Sequence, residues 1–346
     1  MPKISCMRFV PYCAVRMLVL AVVLMSAHEA FAATDWSGIQ AAMGTDGYVF
    51  PGDVLRFQLA RRDLGFSVDG VPLGGNFHGY NAAVSNGFIA FKEKRRNDFF
   101  ADGALPAQES EVLALEDSLL SHGRAIRITA VYSHVTNISP KLIWVHFEAT
   151  GPGVDLATFL AAALMTIHNP HLGGVFIPGT NFVFDPSLLP QPILDLFNEG
   201  LIAQVDNIFA FWLPRPDECS ITLDTRVGAQ SGLGVGQTFY IQVDFSGGAD
   251  ITINIDFALR PHELPAVQSI LRSGGFTLPS LSNNYVSDTP RLHYLHATAS
   301  GNGILIGATL FKAIKVIGLG NGGNGNGCSN GGGNGNADGD HDGDDH

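Results

Sequence analysis

The chain has 346 residues and a formal net charge of −12 at pH 7. Hydrophobic residues make up 46% of it and charged residues 15%, which is typical of a packed protein. Because phosphate binding needs clustered Lys and Arg, and the densest basic run is only residues 92–96, we expect no nucleic-acid partner.

The first segment, residues 1–32, has the three-part layout of a secretory signal peptide. Basic residues precede an apolar run over residues 17–25, and small residues follow at Ala30 and Ala32. An apolar run of about ten residues is too short to cross roughly 30 Å of hydrocarbon. We therefore expect cleavage after Ala32 and export to the periplasm or the extracellular space. No later apolar stretch reaches the required length, so the mature chain is predicted to lack a transmembrane segment.

The rest of the sequence is internally duplicated. Three pairs of segments match in the same order and at nearly constant spacing: residues 55–63 with 209–217, 140–146 with 290–296, and 151–153 with 301–303. Such ordered self-similarity is typical of repeated structural units. It predicts one copy over residues 33–166 and a second over residues 186–317, joined by a linker over residues 167–185.

Hydrophobic periodicity predicts the elements of each copy. Alternation in the first copy predicts strands, and three-to-four spacing predicts helices. The strands are predicted at residues 55–59, 87–91, 126–132 and 142–148, and the helices at residues 109–120 and 155–167. The predicted fold class is α+β: two tandem copies of an antiparallel sheet with helices packed on one face, in a pseudo-twofold arrangement. Residues 318–346 are almost wholly Gly, Asn, Asp and His, which predicts a disordered tail.

The first copy carries a candidate site on two neighbouring strands. Residues two apart on a strand share a face, so Trp144, His146 and Glu148 point the same way. They are placed to meet Tyr132 and His134 across the strand pair. His134, His146 and Glu148 are therefore a candidate site for a divalent metal, and Tyr132 and Trp144 are candidate ligand-binding residues.

The second copy and the tail offer fewer titratable groups. His293 and His296 are candidate ligand-binding residues in the second copy, with partnered structural histidines as the alternative. In the tail, Asp338, Asp340 and Asp342 match the start of a calcium-binding loop, but the closing Glu is absent. Weak cation binding by the tail and a simply solvated acidic tail both remain open.

Two cysteines, Cys219 and Cys328, follow the predicted cleavage site. An oxidising compartment outside the cytoplasm would permit them to form a disulfide. The alternative is two independent thiols.

The duplicated pattern resembles a known family of exported proteins. Each copy has a Phe-x-Leu-x-Arg strand, an acidic helix that ends in Gly, and a later strand that begins with Pro and reaches a His. From Trp36 to about Ile317 the chain resembles the LppY/LpqO lipoproteins, which carry a domain of unknown function. Members often have a Thr-Ala-Leu-His-Asn-His stretch. Of the two histidines in that stretch, the matching residues 129–134 keep only the second, His134. The resemblance implies the fold and export.

Three functional hypotheses follow from these patterns. The preferred one is a non-catalytic envelope or secreted protein that binds a small ligand, a cell-envelope component or a metal, in a cleft between the copies. The alternative is a metal-dependent hydrolase in which His134 and His146 hold the metal and Glu148 is the base. In the third, the duplicated body is a scaffold and the acidic tail binds metal ions.

Overall fold

The structure is a computed structural model that describes most of the chain between residues 34 and 318. The described ranges are residues 34–50, 52–61, 63–68, 70–73, 87–167, 171–172, 187, 189–196, 201–205, 208–227, 232–243 and 250–318. The predicted signal peptide, most of the predicted linker and residues 319–346 of the predicted tail lie outside the described residues.

The first copy is built on an antiparallel sheet with the strand order β1-β2-β5-β6-β9-β7. A short strand, β10, also pairs with β2, and β3, β4 and β8 form a small separate sheet. The bounds are β1 Tyr48–Phe50, β2 Val54–Ala60, β3 Phe66–Val68, β4 Val71–Leu73, β5 Gly87–Arg95, β6 Asp98–Gln108, β7 Ile126–Tyr132, β8 Ile138–Ser139, β9 Leu142–Gly151 and β10 His171–Leu172.

The second copy repeats the main six-strand path of the first. Its sheet has the order β11-β12-β15-β16-β18-β17, and β13 pairs with β14. The bounds are β11 Leu201–Val205, β12 Ile208–Leu213, β13 Thr222–Leu223, β14 Thr225–Arg226, β15 Gln237–Val243, β16 Asp250–Leu259, β17 Thr277–Ser282 and β18 His293–Asn302. The shared order supports the duplication seen in the sequence.

Helices cover one face of each sheet. The described residues form α1 Ser37–Met43, α2 Val112–Ser121, α3 Gly153–Leu164, α4 Gln191–Leu196, α5 Leu264–Ser273 and α6 Gly303–Val316. Alternating strand residues such as Ile253 and Ile255 face these helices, and each copy has its own apolar core there. The predicted α+β class, with two antiparallel sheets and helices on one face of each, is confirmed.

A buried ion network recurs at the same place in both copies. In the first copy Arg61 Nη1 lies 2.6 Å from Glu111 Oε2 and Nη2 lies 2.8 Å from Asp63 Oδ2. In the second copy Arg215 makes the equivalent contacts, 2.9 Å to Glu263 and 2.8 Å to Asp217. These residues are the Arg and Asp that match in the sequence self-comparison, so their shared spacing reflects a shared structural role.

The two copies meet through the sheet faces that lie opposite the helices, and from Trp36 onward they belong to one compact unit. A third apolar cluster joins Phe50 and Phe100 of the first copy to Leu223, Leu233 and Tyr294 of the second. Strand β6 is consequently buried on both faces along almost its whole length. That burial removes the alternation of polar and apolar residues, which is why the sequence analysis missed this strand.

Two sequence expectations concern features outside the sheets. Cys219 is disulfide-bonded, so an independent thiol at this position is wrong; the other cysteines, Cys6, Cys13 and Cys328, lie outside the described residues. In the part of the chain that the structure describes, no helix has both the length and the apolar character needed to span a membrane.

Candidate ligand-binding site

A cavity of about 70 Å³ lies between the two copies. Such a space holds several water-sized groups and therefore suits one small molecule. The first copy contributes Arg56, His134, Trp144 and His146 to its wall. The second copy contributes Trp212, Tyr240, Asn254, Asp256, Asn284 and His296. Neither copy alone forms the site.

Three imidazole rings are packed together at one end of this cavity. The His134 ring lies between the Trp144 ring and the His296 ring, with both centroid distances 4.0 Å. His134 Nε2 is 3.0 Å from His146 Nε2. The structure thus brings His134, His146 and Trp144 together as the strand alternation predicted, and adds His296 from the other copy.

Tyr132 connects these histidines to the second copy. Its ring stacks on His146 at a centroid distance of 5.1 Å, and its hydroxyl donates a hydrogen bond to Asn284 Oδ1 at 2.8 Å. His296 Nε2 is 3.1 Å from the same hydroxyl oxygen. Because the Tyr132 proton is directed to Asn284, His296 donates through Nε2 in this arrangement. A hydrogen bond in this direction requires a proton on His296 Nε2.

Burial keeps the imidazoles neutral. It lowers the pKa of His146 to about 3 and that of His296 to about 3. The pKa of His134 is also lowered, by burial first and then by the neighbouring His296 and His146. All three rings therefore carry no charge at neutral pH.

Asp256 is the acidic group of the cavity wall. Its Oδ1 lies 3.5 Å from His296 Nε2, and among the described residues no group donates a hydrogen bond to this oxygen. Burial raises the pKa of Asp256 to about 7. The carboxyl is therefore close to half protonated at neutral pH, and it can both donate and accept hydrogen bonds.

Arg56 is the basic group of the wall. Its guanidinium carbon lies 3.8 Å from the centroid of the Phe88 ring, and Nη1 donates to the Gly232 carbonyl at 2.6 Å. Burial lowers the pKa of Arg56, while Asp102 opposes this effect. Asp102 accepts hydrogen bonds from the Tyr285 hydroxyl and the Gly234 N–H, and burial raises its pKa to about 6.

Glu148 is not brought to the histidine pair. One carboxylate oxygen lies 2.8 Å from Arg127 Nη2. The other accepts from the Val286 N–H and from the Ser287 N–H and hydroxyl. The side chain is fully buried in these contacts, so it joins the first copy to a loop of the second.

The remaining predicted site residues lie elsewhere. His293 is three residues before His296 on β18 and is therefore on the opposite face of the strand, away from the cavity. Asp338, Asp340 and Asp342 lie outside the described residues. Within the described ranges, no group of three or more His, Cys, Asp or Glu side chains is arranged to hold a metal ion. His134 and His146 are a pair of neutral nitrogen donors.

A family model described as Domain of Unknown Function (DUF1259) matches residues 37–166 and, separately, residues 198–316. The chain belongs to this family. The two matches show that the DUF1259 domain is duplicated here, and they place no activity on it. Neither a curated protein nor a solved structure matches the chain.

Several cavity residues of this DUF1259 protein escaped the sequence analysis. Tyr240, Asn254 and Asp256 are the half-buried residues of strands β15 and β16, where strict alternation places the apolar residues on the helix face. An Asp between Ile255 and Phe257 is the available signal, because a carboxyl on such a strand faces water or a site. Arg56 has a similar position on β2. The sequence does not reveal that these faces are turned toward the other copy.

Proposed function

We propose that this DUF1259 protein is an exported, non-catalytic binding protein whose small polar ligand occupies the cavity between its two copies. The observation that carries the proposal is the joint construction of the cavity. Polar side chains of the first copy, among them Arg56 and His146, face Asn254 and Asp256 of the second across one space. Concave sites with a few convergent polar groups at a domain interface are typical ligand sites.

The surroundings of the cavity support binding by a preformed site. Stacking holds the His134 ring between two other rings, and hydrogen bonds fix Tyr132 against the second copy. A ligand therefore meets side chains that have already lost their rotational freedom, which lowers the entropic cost of binding. The hydrolase alternative is less well supported, because the Glu148 carboxylate is bonded to Arg127 and to residues 286–287.

Export is part of the proposal and rests on the N-terminal sequence pattern, together with the resemblance to the LppY/LpqO lipoproteins. The ligand would then be a cell-envelope component or a small solute outside the cytoplasm. The mass of the protein recovered from the periplasm or the medium tests this. We expect a chain that begins at Ala33, whereas a cytoplasmic full-length chain would contradict export.

Ligand binding is testable by thermal unfolding of the mature chain with a panel of sugars, dicarboxylates, amino acids and divalent cations. A ligand that binds only the folded state raises Tm in a concentration-dependent way. The increase should be lost in Asp256→Ala and retained in Asp250→Ala, since Asp250 lies on the same strand but is exposed and outside the cavity wall. A panel without any Asp256-dependent increase would contradict the proposal.

A divalent metal at His134 and His146 is the second candidate. The separation of 3.0 Å between their Nε2 atoms suits two ligands of one ion, and both rings are neutral, as metal binding requires. Elemental analysis of the mature chain should then find metal that is lost in His134→Ala and His146→Ala but retained in His293→Ala. Metal retained in all three variants would point instead to Asp338, Asp340 and Asp342 of the tail.

A further inference from the structure

We infer that the ligand of the cavity is a neutral, polyhydroxylated molecule the size of one monosaccharide. This inference rests on the proposed function and narrows it to one chemical class. It is carried by three properties of the wall: its balanced charge, its mixture of hydrogen-bond donors and acceptors, and its half-exposed aromatic ring.

The charges around the cavity nearly cancel. Arg56 is the cationic group of the wall, and Asp102 lies close enough to interact with it electrostatically. Asp256 is the carboxyl of the wall itself, Asp102 lies outside the wall, and the three histidines are neutral. An anionic ligand would lie against the Asp256 carboxyl, and a cationic ligand would lie against Arg56. Because unbalanced charge is costly in a partly desolvated site, the wall favours a ligand without net charge.

The polar groups of the wall include both donors and acceptors. Asp256 Oδ1 accepts no hydrogen bond from the described residues, and Arg56 is a planar donor. Asn254 is a further residue of the wall, and its amide has both functions. A hydroxyl group donates one hydrogen bond and accepts two, so a ligand with several hydroxyls satisfies such a mixed set. An ionised carboxylate only accepts hydrogen bonds, so beside the ionised form of Asp256 it would leave Oδ1 without a donor.

An aromatic ring provides the apolar part of the wall. Trp212 is half-buried at the cavity and meets Phe50 edge to face, with a centroid distance of 6.3 Å. The C–H face of a sugar ring is apolar, whereas its rim carries the hydroxyls. A ring lying on Trp212 would direct its rim to the polar residues of β15 and β16. Aromatic packing combined with a few fixed polar groups matches that amphipathic shape.

Tryptophan fluorescence of the mature chain tests the ligand class. The chain has three tryptophans, and Trp144 and Trp212 line the cavity. Trp36→Phe removes the background signal of the third, which lies in the core of the first copy. The probes are three neutral sugars, D-glucose, D-mannose and D-galactose, with D-glucuronate and D-glucosamine as charged matches of the glucose ring.

We expect at least one neutral sugar to cause a saturable change in tryptophan fluorescence. If glucose binds, its charged matches should bind at least about tenfold more weakly. Asp256→Ala should weaken binding by a similar factor, and Asp250→Ala should not. Tighter binding of glucuronate, or no neutral sugar bound at about 10 mM, would overturn the sugar class. If another compound still raises Tm in an Asp256-dependent way, only this inference fails. If nothing does, the proposed function fails with it.

Discussion

The two faces of each sheet differ in how closely the two copies resemble each other. On the helix face, the copies share strand order, core placement and the buried network of Arg61 or Arg215. On the face between the copies, equivalent positions differ: His134 corresponds to Asn284, and Ala104 to Asp256. His146 and His296 are the matched pair that remains. The helix face therefore carries the shared fold, and the divergent faces together line one asymmetric cavity.

The largest expected effect on stability comes from removing the ion network that both copies share. Arg61→Met and Arg215→Met each remove the guanidinium that pairs with Glu111 or Glu263 in the interior, so we expect each to lower the free energy of unfolding by about 3–5 kcal/mol. Denaturant-induced unfolding measures the loss. Arg95→Met is the control, since Arg95 is 83% exposed in its ion pair and should cost at most about 1 kcal/mol. Losses that differ strongly between the two copies would contradict the equivalent role.

A smaller loss of stability is expected at Glu148, a contact between the copies that has no equivalent on the second copy's side. Glu148→Ala removes the acceptor of Arg127 and of the residue 286–287 loop, and we expect a loss of about 2–3 kcal/mol. Thr298, the equivalent residue of β18, has no carboxylate, so Thr298→Ala should change stability by about 0.5 kcal/mol or less. Unfolding in urea compares the two. Equal losses would show that Glu148 has no special role between the copies.

The smallest expected effect concerns the charge on the divergent face. The pKa of Asp256 is about 7 in the folded state, above its ordinary value of 3.8. The folded state thus retains a proton that the unfolded state releases, and the contribution of Asp256 to wild-type stability falls as pH rises from about 4 to 7. Asp256→Asn lacks this loss. The variant should be more stable than wild type by about 1–2 kcal/mol at pH 8, with the difference vanishing near pH 4.

The control for this pH series is Asp250→Asn, at the exposed start of the same strand. It should show no such pH-dependent gain. The histidines act in the opposite direction, because their lowered pKa makes the folded state lose stability as pH falls from about 6.5 toward 3. Their contribution is shared by wild type and variant. A difference between wild type and Asp256→Asn that is constant from pH 4 to 8 would contradict the raised pKa of Asp256.

The sequence predicts what is local or repeated. Alternation predicted β7 at its observed bounds and most of β9, and self-comparison predicted the duplication. The sequence also placed His134 and His146 together, because two strands that are close in the sequence are expected to pair. It could not place His296 against His134 or Asp256 in the same cavity, since those contacts depend on how two copies pack. Glu148 was assigned to the histidine site because alternation shows which face of the strand a side chain is on. It does not show which residue that side chain contacts.

The most direct test of a ligand site between the copies is NMR of the mature chain with ¹⁵N-labelled histidine, titrated with the sugar that binds most tightly. Single His→Gln variants assign the signals of His134, His146 and His296. We predict that the sugar shifts these three signals and leaves those of His122 and His262 unchanged, because the latter lie outside the cavity wall. Saturable binding without any shift of the three cavity signals would contradict a ligand held between the two copies.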